Sequence, residues 1–154
     1  DGATLMFFLG ILLAVDALRC SGVLGSFSLW LDDTIGNVYA VNLIIGTLSA
    51  IVDNVPLVAG AIGMYPVASD AMVATADPAY IANFVQDGVF WQFLAYCAGV
   101  GGSMLIIGSA AGVVVMGLEG INFIWYLKRI SLLALAGYLS GAAVYILQNV
   151  LLGI

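Results

Sequence analysis

Asp53 and Asn54, followed by Pro56, interrupt the apolar run GTLSAIVDNVPLVAGAIGMY between Gly46 and Tyr65. A carboxylate inside a bilayer costs about 2.5–3.5 kcal/mol on insertion scales, so such a residue faces protein or water and serves a function. Carboxylate, amide, hydroxyl and carbonyl oxygens together suit a hard cation. Asp53 supplies the charge and Asn54 an amide oxygen, and Thr47 and Ser49 carry hydroxyls on the same arm. A second oxygen-bearing segment, AGVGGSMLIIGSAAG, contains Ser103 and Ser109. Its glycines at 99, 101, 102, 108 and 112 each weaken a helix interior by about 1 kcal/mol relative to alanine. The expected metal-binding pair is therefore Asp53 and Asn54, with Ser103, Ser109, Ser49 and Thr47 around it. Serine and threonine also pack helices and bond to the preceding turn, which is the competing role for all four.

These residues need elements to hold them. Thr4–Leu18 predicts one apolar helix, short for a span of about 20 residues; Asp16 and Arg19 near its end are spaced for a local ion pair. Gly22–Gly36, with Trp30 and Asp32-Asp33, predicts an interfacial helix. Val38–Tyr65 predicts a broken element, its first arm ending at Val52 and its second resuming at Pro56, because proline lacks a donor and biases Val55 away from helix. Residues 66–87, with Asp70, Asp77 and Asp87, predict an external loop with room for a short helix. Val89–Gly117 predicts a discontinuous helix unwound between Gly99 and Gly112. Glu119–Arg129 predicts an amphipathic interfacial helix, with Glu119 a solvated acid, and Ile130–Ile154 a final span. Trp91, Trp125, Tyr126 and Tyr138 are expected in aromatic belts at the membrane surface.

The composition sets the class. The 154 residues are 64% hydrophobic and 8% charged, against about 25% charged in soluble domains, so the chain is an all-α integral membrane protein. Three basic residues and a net charge of −6 exclude a nucleic-acid partner. The lack of histidine removes a histidine metal site and a Ser-His-Asp triad, and no enzyme activity or cofactor is expected. Cys20 and Cys97 lie in or beside apolar segments and suit small buried thiols. The partners expected are the lipid bilayer and, since the chain begins at Asp1 with no signal-peptide region, the rest of a longer polypeptide. Gly108/Gly112 and Gly137/Gly141 form GxxxG pairs for close helix packing, with a homo-oligomer left open.

Lys128 and Arg129 place the start of the final helix in the cytoplasm and the C-terminus outside. Arg19 alone favours a complete crossing by Val38–Tyr65 over a re-entrant turn.

SAIVDNVPLVAGAIGMY (Ser49–Tyr65), FLAYCAGVGGSMLIIGSAAGVVVMG (Phe93–Gly117) and INFIWYLKRISLLALAGYLSGAAVYIL (Ile121–Leu147) closely resemble the C-terminal part of NhaD-type sodium/proton antiporters. These belong to the ion-transporter superfamily, with the arsenite permeases and dicarboxylate transporters. The resemblance implies two inverted repeats, each with a re-entrant hairpin and an unwound helix meeting at a midplane site. This chain would be the second repeat, its N-terminal partner repeat lying elsewhere, in a multi-pass bacterial inner-membrane protein. Against the charge argument, the resemblance makes Val38–Tyr65 re-entrant with Asp53-Asn54 at its tip. The implied activity is exchange of Na+ or Li+ for H+, with cation and proton competing for Asp53. The rivals are an anion carrier for dicarboxylate or arsenite, which Asp53 at the tip disfavours, and a non-transporting scaffold subunit, which needs no midplane carboxylate.

Overall fold

A computed structural model describes residues 2–69 and 78–153, and the described residues are helical without strands. Asp70 and Asp77 of the expected acidic loop lie outside them. Among the described residues nine α-helices follow in order: α1 (Gly2–Cys20), α2 (Val23–Thr34), α3 (Val38–Leu48), α4 (Asn54–Met64), α5 (Pro78–Ile81), α6 (Val89–Gly101), α7 (Ala110–Leu118), α8 (Phe123–Arg129) and α9 (Ser131–Leu152). Short 3-10 turns cover Ala82–Phe84, Gly102–Met104 and Ile106–Gly108.

Local chemistry explains the helix starts. The Asn37 side chain accepts N–H bonds from Tyr39 at 2.9 Å and Ala40 at 3.2 Å, so α3 begins at Val38. Asn122 caps α8 through the Ile124 N–H at 2.8 Å, and Ser109 caps α7 through the Gly112 N–H at 3.0 Å; each satisfies a donor that a helix start leaves orphaned. The α1–α2 pair bends by 70° and the α7–α8 pair by 112°. Gly22 and Gly120 stand in these turns with φ of +78° and +63°, which residues with a Cβ rarely adopt.

Helix α9 alone among the described helices is long and apolar enough to cross a membrane unbroken. Its 22 residues reach about 33 Å, against a hydrocarbon core of about 30 Å. By contrast α3 and α4, 11 residues each, reach only about 16 Å, half that depth.

Three helices form the frame. Cross-contacts advance together along α3 and α6, from Asn42 Nδ2 on the Phe90 carbonyl (3.2 Å) to Ser49 Oγ on the Ala98 carbonyl (2.8 Å), so the two run parallel. Gly46 and Gly101 let their backbones touch: a Cβ on Gly101 would run into the Gly46 carbonyl. Helix α9 runs antiparallel to both, with Tyr138 Oη on the Leu43 carbonyl (3.0 Å) and Tyr39 Oη on Asn149 Oδ1 (2.7 Å). Phe93, Cys97, Met104, Tyr138 and Ala142 fill the space between them.

On the other side, α4 packs on α1 and α2, where Val15 and Leu24 respectively crowd Gly63. Ile45 and Leu48 of α3 and Pro56, Leu57, Gly60, Ala61 and Met64 of α4 line one apolar cleft of about 160 Å³, with Phe27 and Val52. Asp16 and Arg19 form the expected ion pair, 3.1 Å apart and exposed; such pairs contribute little to stability.

Several expectations need correction, among them Cys20, which is exposed whereas Cys97 is buried. Helix α3 stops at Leu48, not Val52, because Ser49–Val52 already turn on tight bonds to Ile45, Thr47 and Leu48 carbonyls. Helix α4 starts at Asn54, before Pro56, so Val55 is helical. Pro56 falls in the first turn, where its missing N–H costs no intrahelical bond. Tyr138 is no belt residue: it is 1% exposed and sits between α3 and α6. Trp91 is likewise half-buried, its indole N–H held by the Phe84 carbonyl at 3.0 Å. Gly141 takes the Tyr96 hydroxyl within the chain, whereas Gly137 faces open space.

The sequence gives no hint of one clasp. Asp32 accepts hydrogen bonds from Tyr80 at 2.6 Å and Tyr65 at 3.1 Å, tying α2 to the end of α4 and to α5. Burial first, then the Asp32 bond and charge, raise the Tyr80 hydroxyl well above its ordinary value. A raised pKa stabilises the fold below the unfolded value near 10 and the contribution is lost as pH climbs above it. Asp32→Ala is expected to cost about 1.5–3 kcal/mol, the range for hydrogen bonds to a charged group. Thermal melting at pH 8 should show this loss.

Candidate functional site: two breaks in contact

Helix α3 ends at Leu48 and α4 begins at Asn54, leaving Ser49–Asp53 without regular structure. The turns at Gly102–Met104 and Ile106–Gly108 interrupt the path from α6 to α7. This second break is narrower than Gly99–Gly112, since Gly99 and Gly101 stay in α6 and Gly112 in α7.

The two breaks meet backbone to backbone. A Cβ added at Gly108 would lie 2.6 Å from the Gly102 carbonyl oxygen and 2.7 Å from those of Ala50 and Ser49. A Cβ on Gly102 would come within 3.1 Å of the Gly108 carbonyl and 3.5 Å of Ser49 Oγ. Ser49 is 0% and Ala50 6% exposed. Among the described residues no hydrogen bond reaches the Ser49 or Ala50 carbonyl. Buried carbonyls are almost always paired, so two without a hydrogen bond among the described residues set this junction apart.

Around this junction the predicted residues separate. Asp53 stands at the N-cap of α4 with no side-chain cap bond, and both it and Asn54 are half-buried. The helix N-terminus favours its negative charge. Ser49 faces the second break, but its hydroxyl donates to the Ala98 carbonyl. Thr47 is exposed and donates to the Leu43 carbonyl at 2.8 Å within its own helix. Ser103 donates to the Val100 carbonyl at 2.6 Å.

Ser103 and Ser109 do come together, in an open cleft of about 290 Å³ that Ile106, Val115, Ile121 and Tyr126 also line. Tyr126 Oη closes on the Ser103 carbonyl at 2.8 Å. No hydrogen bond joins Asp53 or Asn54 to Ser103 or Ser109 among the described residues. The contact between breaks is made instead by Ser49 and Ala50 against Gly102 and Gly108. Ala50 has no side-chain oxygen to attract notice, so only the glycine density at 101, 102 and 108 pointed there. No group of three or more His, Cys, Asp or Glu that could hold a metal occurs among the described residues.

Broken helices meeting inside an apolar bundle are a pattern of membrane transporters, and the chain belongs to the citrate transporter family, whose model matches residues 1–85. It is similar to sodium/proton antiporter 1 of Arabidopsis thaliana, 48% identical over 141 residues, covering 92% of this chain and 22% of the relative. Sodium/proton antiporter 2 of the same plant is 44% identical over 146 residues, 95% of this chain and 31% of the relative. The Na+/H+ antiporter NhaD of Alkalimonas amylolytica is 33% identical over 148 residues, 95% of this chain and 26% of the relative. The chain thus spans under a third of the length of these relatives. No solved structure matches it. Family and bundle together make it part of a multi-pass membrane protein.

Proposed function

We propose that the chain is the C-terminal repeat of a secondary transporter that exchanges Na+ or Li+ for H+. The observation that carries this reading is the pair of unpaired carbonyls, Ser49 and Ala50, set against Gly108 where the two breaks touch. Half-helix C-terminal ends and unwound carbonyls coordinate cations in such transporters. Asp53, just past those carbonyls, adds the charge and binds either cation or proton, so the two compete. That competition couples the fluxes without further machinery. The antiporter names of relatives aligned over more than nine-tenths of the chain support the same ions.

The half-depth arms α3 and α4 and their shared apolar cleft support a re-entrant hairpin with its tip at Ser49–Asp53. An inverted repeat earlier in the same polypeptide would complete the site and supply the alternating access. The sequence resemblance favours a bacterial inner membrane, Lys128 and Arg129 favour a C-terminus outside it, and the plant relatives make a eukaryotic membrane the alternative.

The test uses the full-length protein in everted vesicles carrying a pH gradient. Na+ or Li+ is expected to dissipate the gradient. A gradient untouched by either ion, but collapsed by citrate or another carboxylate anion, would instead select the anion-carrier reading.

A further inference from the structure

We propose that Tyr138, on the final helix, is a positioning residue that sets the height of the Ser49 and Ala50 carbonyls and so the affinity for the transported cation. The inference rests on the transport reading above and goes beyond it by assigning a role to a residue outside both breaks.

The geometry is specific. Tyr138 reaches from α9 into α3 and is 1% exposed. Its hydroxyl donates to the Leu43 carbonyl at 3.0 Å, the same carbonyl that accepts from Thr47 Oγ1 at 2.8 Å. Two hydroxyls therefore converge on one carbonyl in the last turns of α3, just ahead of the break. The Tyr138 hydroxyl also fills the space a side chain on Gly46 would need. Gly46 in turn is the residue whose carbonyl lies on Gly101. Tyr138 thus touches α3 where α3 locks to α6, one turn before the unpaired carbonyls.

Tyr138 is itself held. Its backbone carbonyl accepts from Tyr96 Oη at 2.9 Å, and the two rings stack with centroids 6.1 Å apart. A ring clamped at both ends transmits position rather than chemistry. Its hydroxyl sits among Leu43, Gly46 and Cys97 in a residue only 1% exposed. Removing the hydroxyl lets the end of α3 move against α6, which spreads the Ser49 and Ala50 carbonyls from Gly108. Coordination weakens while the conformational steps of transport, made elsewhere, keep their rate.

Tyr138→Phe in the full-length transporter keeps the ring and its packing. The Na+ concentration giving half-maximal proton exchange is expected to rise about threefold to tenfold, the effect of one lost neutral hydrogen bond, with the maximal rate little changed. Tyr145→Phe, which loses a hydroxyl bonded to Gln92 at 3.2 Å away from the breaks, should leave both values as in the wild type. If Tyr138→Phe does not reach the membrane, Tyr96→Phe loosens the same ring and must shift the half-saturating concentration in the same direction. An unchanged half-saturating concentration in an active transporter overturns this inference alone. Wild-type protein that moves no Na+ overturns the transport reading and this inference with it.

Discussion

Asp53→Asn in the full-length transporter is expected to lower Na+-dependent proton exchange by about 100-fold or more, equivalent to about 2.7 kcal/mol. The amide is nearly isosteric and can still offer an oxygen, so the substitution isolates charge. Asp53 sits at the head of α4 without a cap hydrogen bond to hold it, so no structural bond is lost with the carboxylate. What disappears is the anion that offsets a desolvated cation and the one group that can exchange it for a proton. Amide and carbonyl oxygens alone can still bind a cation weakly, yet they cannot take up the returning proton. The measurement is Na+-driven dissipation of a pH gradient in everted vesicles, with expression matched by immunoblot. Near-normal exchange by Asp53→Asn would remove Asp53 from the mechanism and favour the scaffold reading.

The second large effect concerns a residue with no side chain. Gly108→Ala would place a methyl group 2.6–2.7 Å from three backbone carbonyl oxygens, those of Gly102, Ala50 and Ser49. No rotamer relieves such a clash, because the opposing atoms belong to the main chain of both breaks. Overpacking of this kind costs about 1–3 kcal/mol, which lowers the melting temperature by roughly 2–12 °C. Transport should fall further than stability, since the junction that must part is the proposed cation site. Gly99→Ala is the control: its added methyl meets nothing within 4 Å, and alanine is the better helix former by about 1 kcal/mol. Equal melting temperatures for Gly108→Ala and the wild type would mean that the two breaks are not in contact as described.

Much of this was legible from residue types. An aspartate, an asparagine and a proline inside an apolar run marked the first break, and clustered glycines marked the second. The limits of each break were less legible. Helix α3 gives way at Leu48 because main-chain bonds of Ser49–Val52 compete with continued helix, and nothing in LSAIV announces that. Pro56 suggested a later start for α4, yet proline is harmless in a first turn. Tyr138 was assigned to the membrane surface by its type, although it lies a full two turns inside α9. A tyrosine at that depth needs a partner for its hydroxyl, and a carbonyl on a neighbouring helix is the kind it finds. The site separates along the same line: side-chain oxygens are legible from residue type, whereas the Ala50 carbonyl, an oxygen every residue has, shows only in the packing.

The parallel seam between α3 and α6 has a consequence for how this polypeptide tolerates being cut. Partners along it differ by a nearly constant offset, Asn42 with Phe90 and Ser49 with Ala98, so the two breaks are aligned by touching helices. These seam residues all lie outside the chain that joins α4 to α5. A nick or an inserted tag in that connection should leave the junction assembled, and the two pieces, produced separately, should find each other again in the bilayer.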